Sequence, residues 1–353
     1  MKLSEPITDV EQLTPALLTD RFGRNGFLKS GSVTSIEKTD SFGSSCAEWD
    51  RLSLTFSEDY EGDIPNAIVL KVYRKGWFGG GVIEWTFYEE LAPKTPDASV
   101  CPVFDCGFDH NEKNCHYLMP DLSVTHKDGP KESTEQLHKA IIEELLKYHI
   151  RWWNDPRLDE WPFMMQAGGP LRMAQAIAEQ DVRDSCASFE EALKPLAQEL
   201  GDDLDPAHIE IMERVIQGYP DISLARVANG KNITMLHGDA HLWNLFYPKD
   251  PSTDRIILFD WETYKRGLGA YDLAYMLIHG TPERKALEGP LMDFYYKKLV
   301  AGGIENYSRD QFEYDYRLSV LSCVFCPIIW KRAFSVRNAM KAYKDWDCGA
   351  LLR

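Results

Sequence analysis

Several polar side chains lie close together in the segment LHGDAHLWNLFY, residues 236–247, where Asp239 precedes Asn244 by five positions. A second acidic residue, Asp260, follows the apolar segment IILF. Phosphoryl transfer uses this combination, because one Asp orients the attacking hydroxyl, an Asn amide oxygen binds a metal, and a second Asp joins the metal to the phosphates. The pattern therefore predicts Asp239 as the catalytic base and predicts Asn244 and Asp260 as ligands of Mg²⁺.

A lysine lies on a strand far upstream of this segment. Residues 66–73, NAIVLKVY, alternate between two faces with a period of two, which is typical of a β-strand. A lysine in such a strand can hold the α- and β-phosphates of a nucleotide. We therefore expect Lys71 to bind the phosphates of a nucleotide cofactor.

The next segment supplies a partner for that lysine. In EWTFYEEL, residues 84–91, the side chains of Glu84, Tyr88 and Leu91 recur at helical spacing and fall on one stripe. An acidic residue on a helix can hold the strand lysine in place by an ion pair. Glu89 and Glu90 are the alternatives, and we favour Glu84 because it shares its stripe with apolar side chains.

The remaining pattern indicates a β-rich part followed by a helical part. Up to about residue 120, short alternating segments predict strands, after a helix that opens with the cap Thr14. Beyond residue 120 the spacing of apolar residues becomes helical. Ser133 and Gln136 are expected to form a capping box at the start of a long helix. Another helix is expected from Pro206 to Gly218, stopped by Pro220. The fold class predicted is α+β.

The joint order of these motifs resembles the aminoglycoside phosphotransferase and choline kinase superfamily. LHGDAHLWNLFY is similar to its catalytic loop, ILFDWE to its metal-binding segment and GAYDLAYML to its next helix, while VLKVY, EWTFYEEL and LLKYHIRWWND are most similar to the ecdysteroid kinase-like branch. The resemblance covers roughly residues 28 to 280. It implies a bilobal protein kinase-like fold, with a nucleotide-binding lobe over 1–120 and a catalytic, acceptor-binding lobe over 121–353.

The resemblance also implies contacts to the nucleotide. It places adenine against the connector near Met119 and Asp121. The segment SFGSSC has one glycine where protein kinases have three, so phosphate contacts are expected from backbone N–H groups and hydroxyls around Gly43, Ser44 and Ser45.

Four further polar residues have roles that the resemblance only outlines. His241 lies where protein kinases carry a lysine that faces the γ-phosphate, so an electrostatic catalytic role and simple bonding within the loop are equal alternatives. His237 and Asp272 are expected to support the loop and not to take part in the chemistry. Glu262 is expected to contact either substrate or solvent.

Charge and hydropathy exclude some partners. The net charge is −16, from 39 basic and 55 acidic residues, which argues against nucleic acid or an anionic membrane as partner. Residues 179–210 hold ten acidic residues, among them Asp202 and Asp203, and we expect a solvated helical face there, with an acidic cleft for a cationic substrate as the alternative.

The N-terminus lacks the pattern of a signal peptide, and we expect a cytoplasmic protein.

The sequence thus predicts a Mg-ATP-dependent kinase whose acceptor is a hydroxyl of a small molecule. One alternative is a pseudokinase that binds nucleotide and serves as a scaffold. The complete set of Lys71, Asp239, Asn244 and Asp260 argues against that alternative, because a scaffold needs no such set. A second alternative is protein phosphorylation or nucleotidyl transfer on the same fold.

Overall fold

The computed structural model describes residues 3–129, 133–159, 179–201, 204–252 and 254–352. The chain divides into two compact units, one comprising Met1–Asp128 and Phe246–Glu262, the other Gly129–Leu245 and Thr263–Arg353. The expected boundary after residue 120 therefore differs from the observed one in two respects. The first unit extends to Asp128, and a later segment returns to it, because residues 246–248 pair with residues 126–128. The functions expected of the two parts stay predictions.

The first unit is built on a five-stranded antiparallel sheet with the order β2-β3-β5-β7-β6. Its strands are β1 Leu28–Ser30, β2 Val33–Gly43, β3 Ala47–Phe56, β4 Glu61–Gly62, β5 Ala67–Tyr73, β6 Asp105–Asp109, β7 Asn114–Pro120, β8 His126–Asp128, β10 Leu245–Pro248 and β11 Ile257–Leu258. Strand β5 is central, and Lys71 pairs with Trp49 of β3 and with Tyr117 of β7. The lysine therefore stands on a strand that is paired on both sides.

The alternation along β5 separates two environments. Ile68 and Leu70 belong to a buried apolar cluster that also contains Leu18 and Phe22 of helix α1, Pro15–Arg24. Helix α1 begins as predicted, since the Thr14 hydroxyl accepts a hydrogen bond from the backbone N–H of Leu17. Because side chains alternate along a strand, Lys71 projects to the opposite face.

That opposite face is covered by helix α2, Phe78–Thr86, which continues into a π-helical turn, Phe87–Leu91. The expected stripe of Glu84, Tyr88 and Leu91 is buried, as the helical spacing predicted. The helix approaches the sheet closely at Gly81, where an added Cβ would lie 2.7 Å from the sulfur of Cys115. This close approach brings Glu84 within reach of strand β5.

The second unit is mainly helical. Its helices are α3 Glu135–Arg151, α4 Glu179–Leu200, α5 Pro206–Val227, α6 Ala270–Gly280, α7 Arg284–Ala301, α8 Arg309–Cys323, α9 Cys326–Trp330 and α10 Ala333–Asp345, and two short strands, β9 Thr234–Leu236 and β12 Lys265–Gly267, pair antiparallel. Helix α6 is buried along almost its whole length. No helix among the described residues is long and apolar enough to cross a membrane.

The predicted cap of helix α3 is wrong by one residue. Thr134, in an extended conformation, accepts the hydrogen bond from the backbone N–H of Leu137, and the helix begins at Glu135. Both Ser and Thr are good caps, so the choice between adjacent residues depends on backbone geometry. Leu137 now stands at the third helical position, so the capping box expected from Ser133 does not form.

The predicted end of helix α5 is also wrong. The helix passes through Pro220 and ends at Val227. An interior proline costs about 3 kcal/mol or more, but Met212, Val215, Ile216 and Tyr219 are buried on the same helix. Full burial of one such apolar side chain contributes about 1.5–3 kcal/mol, so the packed face outweighs the local cost of the proline.

Candidate functional site

Lys71 is fully buried and lies between two carboxylates of the first unit. Its Nζ is 2.9 Å from Oε2 of Glu84 and 3.1 Å from Oδ1 of Asp260. Burial lowers the pKa of the ammonium group, but the charges of Asp260 and Glu84 outweigh burial and raise it above its usual value. Lys71 is therefore a fixed positive charge, held at a defined place on the sheet.

Aromatic rings complete the surroundings of this ammonium group. Its Nζ lies 4.5 Å from the ring centre of Tyr73, 5.1 Å from that of Trp49 and 5.5 Å from that of Phe259. Rings at these distances attract a cation through their negative faces. The sequence analysis did not single out these three residues, although Tyr73 shares the strand face of Lys71 by the alternation rule.

Glu84 is also fully buried and is the acidic residue that contacts Lys71. Its Oε2 accepts hydrogen bonds from Lys71 and, at 2.7 Å, from the Tyr73 hydroxyl, while its Oε1 has no hydrogen-bond partner in the described part of the chain. Burial raises the pKa of the carboxyl, and the charge of Lys71 opposes this shift. The alternative partner Glu90 instead pairs with Lys94, at 2.8 Å.

Asp260 has a left-handed backbone, with a φ of 65°. Such a conformation is uncommon for residues other than glycine, although Asp adopts it more often than most, and it is concentrated at functional sites. The strained turn directly after β11 allows the Asp260 carboxylate to reach Lys71.

Glu262 contributes a second carboxylate beside Asp260. Its Oε2 is buried and has no hydrogen-bond partner among the described residues, and an added Cβ at Gly80 would lie only 2.9 Å from it. Burial and the neighbouring charge of Asp260 raise the pKa of Glu262 to about 8. The residue as a whole is half-buried, and its expected contact with substrate or solvent stays a prediction.

Cys46 lies close to these two carboxylates, and the three residues form a group of possible metal ligands. Ligand atoms of Cys46, Asp260 and Glu262 all lie within 4.8 Å of one another. Carboxylate oxygens are the ligands that Mg²⁺ prefers, and the unpartnered buried oxygen of Glu262 is an additional one. The two carboxylates therefore fit a divalent cation, and the ligand role expected of Asp260 stays a prediction.

The expected phosphate-binding turn connects β2 and β3. Gly43 ends β2, and the hydroxyl of Ser44 closes the turn by accepting from the backbone N–H of Ala47 at 3.1 Å. Ser44 and Ser45 are exposed. The Ser44 hydroxyl thus shapes the turn, and its expected contact with phosphate, like those of Gly43 and Ser45, stays a prediction.

Met119 and Asp121, expected near adenine, have different environments. Met119 lies inside strand β7, paired with Val69, and its side chain is fully buried. Asp121 begins the connector, where its carboxylate accepts from the backbone N–H of Ser123 at 2.9 Å and lies 3.3 Å from Arg51 Nε. Both side chains are therefore engaged within the protein, and the role of this connector in binding adenine stays a prediction.

In the second unit, the segment LHGDAHLWNLFY (the HGD segment) brings Asp239, His241 and Asn244 together. Asn244 donates its amide N–H to Asp239 Oδ2 at 2.8 Å and to the Asp239 backbone carbonyl at 3.1 Å. His241 Nε2 lies 3.6 Å from the same Asp239 Oδ2, and its Nδ1 accepts from the backbone N–H of Trp243. Because the amide nitrogen of Asn244 is engaged, its oxygen is the atom left for a metal.

Asp272 supports this loop from helix α6. Its carboxylate accepts from the backbone N–H groups of His237 at 2.8 Å and of Gly238 at 2.9 Å, and it lies 3.2 Å from His149 Nε2. Burial alone would raise the pKa of Asp272, but these donors outweigh it and lower the pKa below its usual value. Gly238 has a φ of 86°, and an added Cβ would lie 2.3 Å from the Thr263 carbonyl, so the loop requires glycine there.

Helix α6 also contacts the Asp239 side chain. The hydroxyl of Tyr275, a buried residue, donates a hydrogen bond to Asp239 Oδ1. The ring of Tyr275 lies 5.1 Å from that of His279 and 5.8 Å from that of Trp330. Sequence reasoning missed this tyrosine, and its position three residues after Asp272, on the same side of a helix, was the available signal.

The acidic side chains of residues 179–210 are exposed where the structure describes them. Asp184, Glu190, Glu191 and Glu199 of helix α4 are exposed, as expected for a solvated helical face. Glu199 also lies 3.0 Å from Lys331 Nζ. Asp202 and Asp203, which the sequence analysis grouped with them, lie outside the described residues.

Comparisons with known proteins identify a similar fold and a family. No curated protein gives a match to the sequence. Among solved structures, a choline kinase from Cryptosporidium parvum Iowa II is 10% identical, with a TM-score of 0.53 and 88% of each chain covered. The GDP and kanamycin complex of an aminoglycoside phosphotransferase is also 10% identical, with a TM-score of 0.50, covering 90% of this chain and 94% of that one.

At this low identity the likeness concerns the fold alone. It confirms the expected α+β, bilobal protein kinase-like fold, with a β-rich N-terminal part and a larger helical C-terminal part. The sequence itself gives the family, because residues 63–307, well over half of the chain, match the family described as the phosphotransferase enzyme family. The chain therefore belongs to the phosphotransferase enzyme family.

Proposed function

We propose that this protein transfers the γ-phosphate of Mg-ATP to a hydroxyl of a small molecule. The observation that carries the proposal is Lys71, a buried charge bonded at once to Glu84 and to Asp260. Kinases use a strand lysine and a helix glutamate to hold the phosphates, and an Asp at the end of a later strand to hold the metal. Membership of the phosphotransferase family supports the same reaction.

In the first unit, Lys71 binds the α- and β-phosphates. Asp260 and Glu262 would hold Mg²⁺. The ligand role expected of Asn244, which belongs to the second unit, stays a prediction from the sequence. When bound, the metal neutralises charge that develops on the phosphates. Trp49 and Phe259 flank Lys71 and limit its mobility, so that the charge is in place before the nucleotide binds.

In the second unit, Asp239 orients the acceptor hydroxyl and accepts its proton. Each carboxylate oxygen has two lone pairs, so Asp239 can accept from an acceptor hydroxyl in addition to Tyr275 and Asn244. His241 stabilises negative charge near Asp239 when it is protonated. The protein forms no covalent bond to the substrate, and orientation of the reactants supplies most of the rate acceleration.

The acceptor we favour is a neutral alcohol with a flat apolar body, such as a sterol. The rings of His279 and Trp330, which pack against Tyr275 and each other, support this class, as does the solvated position of the acidic side chains of helix α4. The resemblance of VLKVY and EWTFYEEL to the ecdysteroid kinase-like branch points the same way. Cationic acceptors, such as choline or an aminoglycoside, are the competing class. The cytoplasmic location stays a prediction.

Transfer of radiolabelled γ-phosphate tests the proposal against its alternatives. The protein is incubated with Mg-ATP or Mg-GTP and with a sterol, a nucleoside, choline, an aminoglycoside or a generic protein acceptor. We expect label on a small-molecule hydroxyl. Label only on protein would instead indicate a protein kinase, release of pyrophosphate would indicate nucleotidyl transfer, and nucleotide binding with no turnover would indicate a scaffold.

A further inference from the structure

Asp239 is bound on both of its carboxylate oxygens. Tyr275 donates to Oδ1, and Asn244 donates to Oδ2 at 2.8 Å. Hydrogen bonds to an ionised carboxylate are shorter and about twice as strong as those between neutral groups. Two donors on opposite oxygens fix the rotation of the carboxylate about its side-chain bond, which neither donor could do alone.

Tyr275 is itself held rigidly. It is buried in helix α6, and its ring packs at 66° against that of His279 and at 80° against that of Trp330. Burial and the charge of Asp239 raise the pKa of its hydroxyl well above the usual value, so the hydroxyl keeps its proton and remains a donor.

The same helix also fixes the backbone of the loop. Asp272, three residues before Tyr275, accepts from the backbone N–H groups of His237 and Gly238. Residues three apart on a helix lie on the same side. Helix α6 therefore holds the loop backbone through Asp272 and the Asp239 carboxylate through Tyr275.

We infer that Tyr275 is a positioning residue for phosphoryl transfer, which sets the orientation of the Asp239 carboxylate toward the acceptor hydroxyl. The inference rests on the proposed function. It assigns to Tyr275 no contact with nucleotide and no proton transfer. Its contribution is the alignment of a base, and misalignment by about 1 Å can cost on the order of 100-fold in rate.

The test is Tyr275→Phe, which removes the hydroxyl and keeps the ring and its packing. With the acceptor identified by label transfer, we expect kcat to fall about 10-fold or more while the KM for nucleotide stays within about twofold. Tyr271→Phe is the matched control, since Tyr271 is a buried tyrosine one turn earlier on helix α6. Its kcat should remain close to that of the unaltered protein.

A second comparison separates alignment from a general structural effect. In the Asp239→Asn background, Tyr275→Phe should cause no further loss of residual turnover, because the two residues act as one unit. Equal fractional losses in both backgrounds would overturn the inference, as would an unchanged kcat in Tyr275→Phe alone.

Failure of the inference is distinguishable from failure of the proposed function. If the unaltered protein transfers phosphate and Tyr275→Phe matches it, only the role of Tyr275 is wrong. If the unaltered protein transfers phosphate to no acceptor, the proposed function is wrong and this inference falls with it. Thermal unfolding of Tyr275→Phe, Asp239→Ala and the double variant checks the contact without any turnover, and additive shifts of the melting temperature would also overturn it.

Discussion

Lys71 and Glu84 form a fully buried ion pair, with 2.9 Å between Nζ and Oε2. Removing two charges from water costs several kcal/mol per ion, so the pair is favourable only in good geometry and with further bonds. Here Asp260 gives the lysine a second carboxylate and Tyr73 gives the glutamate a second donor. The pair fixes helix α2 to strand β5 and places the charge that our account assigns to phosphate binding.

Glu84→Gln should weaken both folding and nucleotide binding. Breaking one side of a buried pair costs about 3–5 kcal/mol, although Asp260 will keep part of the charge of Lys71 compensated. Urea unfolding measures the stability, and calorimetry with Mg-ATP measures the affinity. The matched control is Glu90→Gln, which removes an exposed pair with Lys94 and should change stability by less than about 0.5 kcal/mol. Equal effects of the two substitutions would contradict the assignment.

Asp260→Ala should abolish Mg-dependent binding of nucleotide, because the phosphates and the metal lose the carboxylate that joins them. Asp250→Ala is a suitable control, since Asp250 is an exposed turn residue of the same unit that bonds Ser252. Titration calorimetry with ATP, with and without Mg²⁺, measures the effect. An unchanged affinity for Mg-ATP in Asp260→Ala would show that Asp260 is not a ligand.

Asp105→Asn should lower stability in a pH-dependent way. The buried Asp105 carboxylate lies 2.7 Å from Arg21 and 3.0 Å from His116 Nε2, and it accepts from Ser4 at 2.5 Å. Burial alone would raise the pKa of Asp105, but these partners outweigh it and lower the pKa below its usual value. Asparagine leaves Arg21 uncompensated, at a cost of about 3 kcal/mol near pH 7.

The sign of the pH dependence follows from the lowered pKa of Asp105. Its stabilisation is fully present above the pKa of the unfolded chain, about 3.9, and is lost as pH falls through the lower pKa of the folded state. Urea unfolding of both proteins between neutral pH and about pH 3 measures the difference, which should be constant at first and then shrink. A difference that persists unchanged at the lowest pH would contradict the role of the charge.

Some of these relationships could be predicted from sequence alone. Strand β5 and the helical stripe of Glu84 were predictable because each depends on short-range periodicity, and that periodicity also selected Glu84 over Glu90. The HGD segment was predictable because its residues lie within a few positions of one another. Short-range patterns of this kind can be recognised in the sequence itself.

Other features required the tertiary structure. Helix α5 passes through Pro220 because burial of its apolar face outweighs the cost of an interior proline. The sequence shows the proline directly, whereas the burial depends on the tertiary structure. Tyr275 reaches Asp239 across 36 residues of sequence. The Glu262 carboxylate lies against helix α2, where an added Cβ at Gly80 would be 2.9 Å from its Oε2. Such contacts join segments that no periodic pattern relates.

The acidic face of helix α4 should have little effect on the acceptor. We expect the double substitution Glu190→Gln and Glu191→Gln to leave the KM for a neutral acceptor and for a cationic one within about twofold, and added salt to change neither by much. Steady-state kinetics at low and moderate ionic strength measure this. Charge reversal at Asp202 and Asp203, outside the described residues, extends the test, and selective loss of the cationic substrate would overturn our preference for a neutral acceptor.

The most direct test of the account is phosphate transfer by Asp239→Asn. The substitution keeps the shape of the side chain and removes the group that orients the hydroxyl and accepts its proton, while Lys71 and Asp260 are unaltered. With the acceptor found by label transfer, we predict that turnover falls by about 100-fold or more and that the affinity for Mg-ATP, measured by calorimetry, is nearly unchanged. Near-normal phosphorylation by Asp239→Asn would contradict the central claim that Asp239 is the base of a small-molecule kinase.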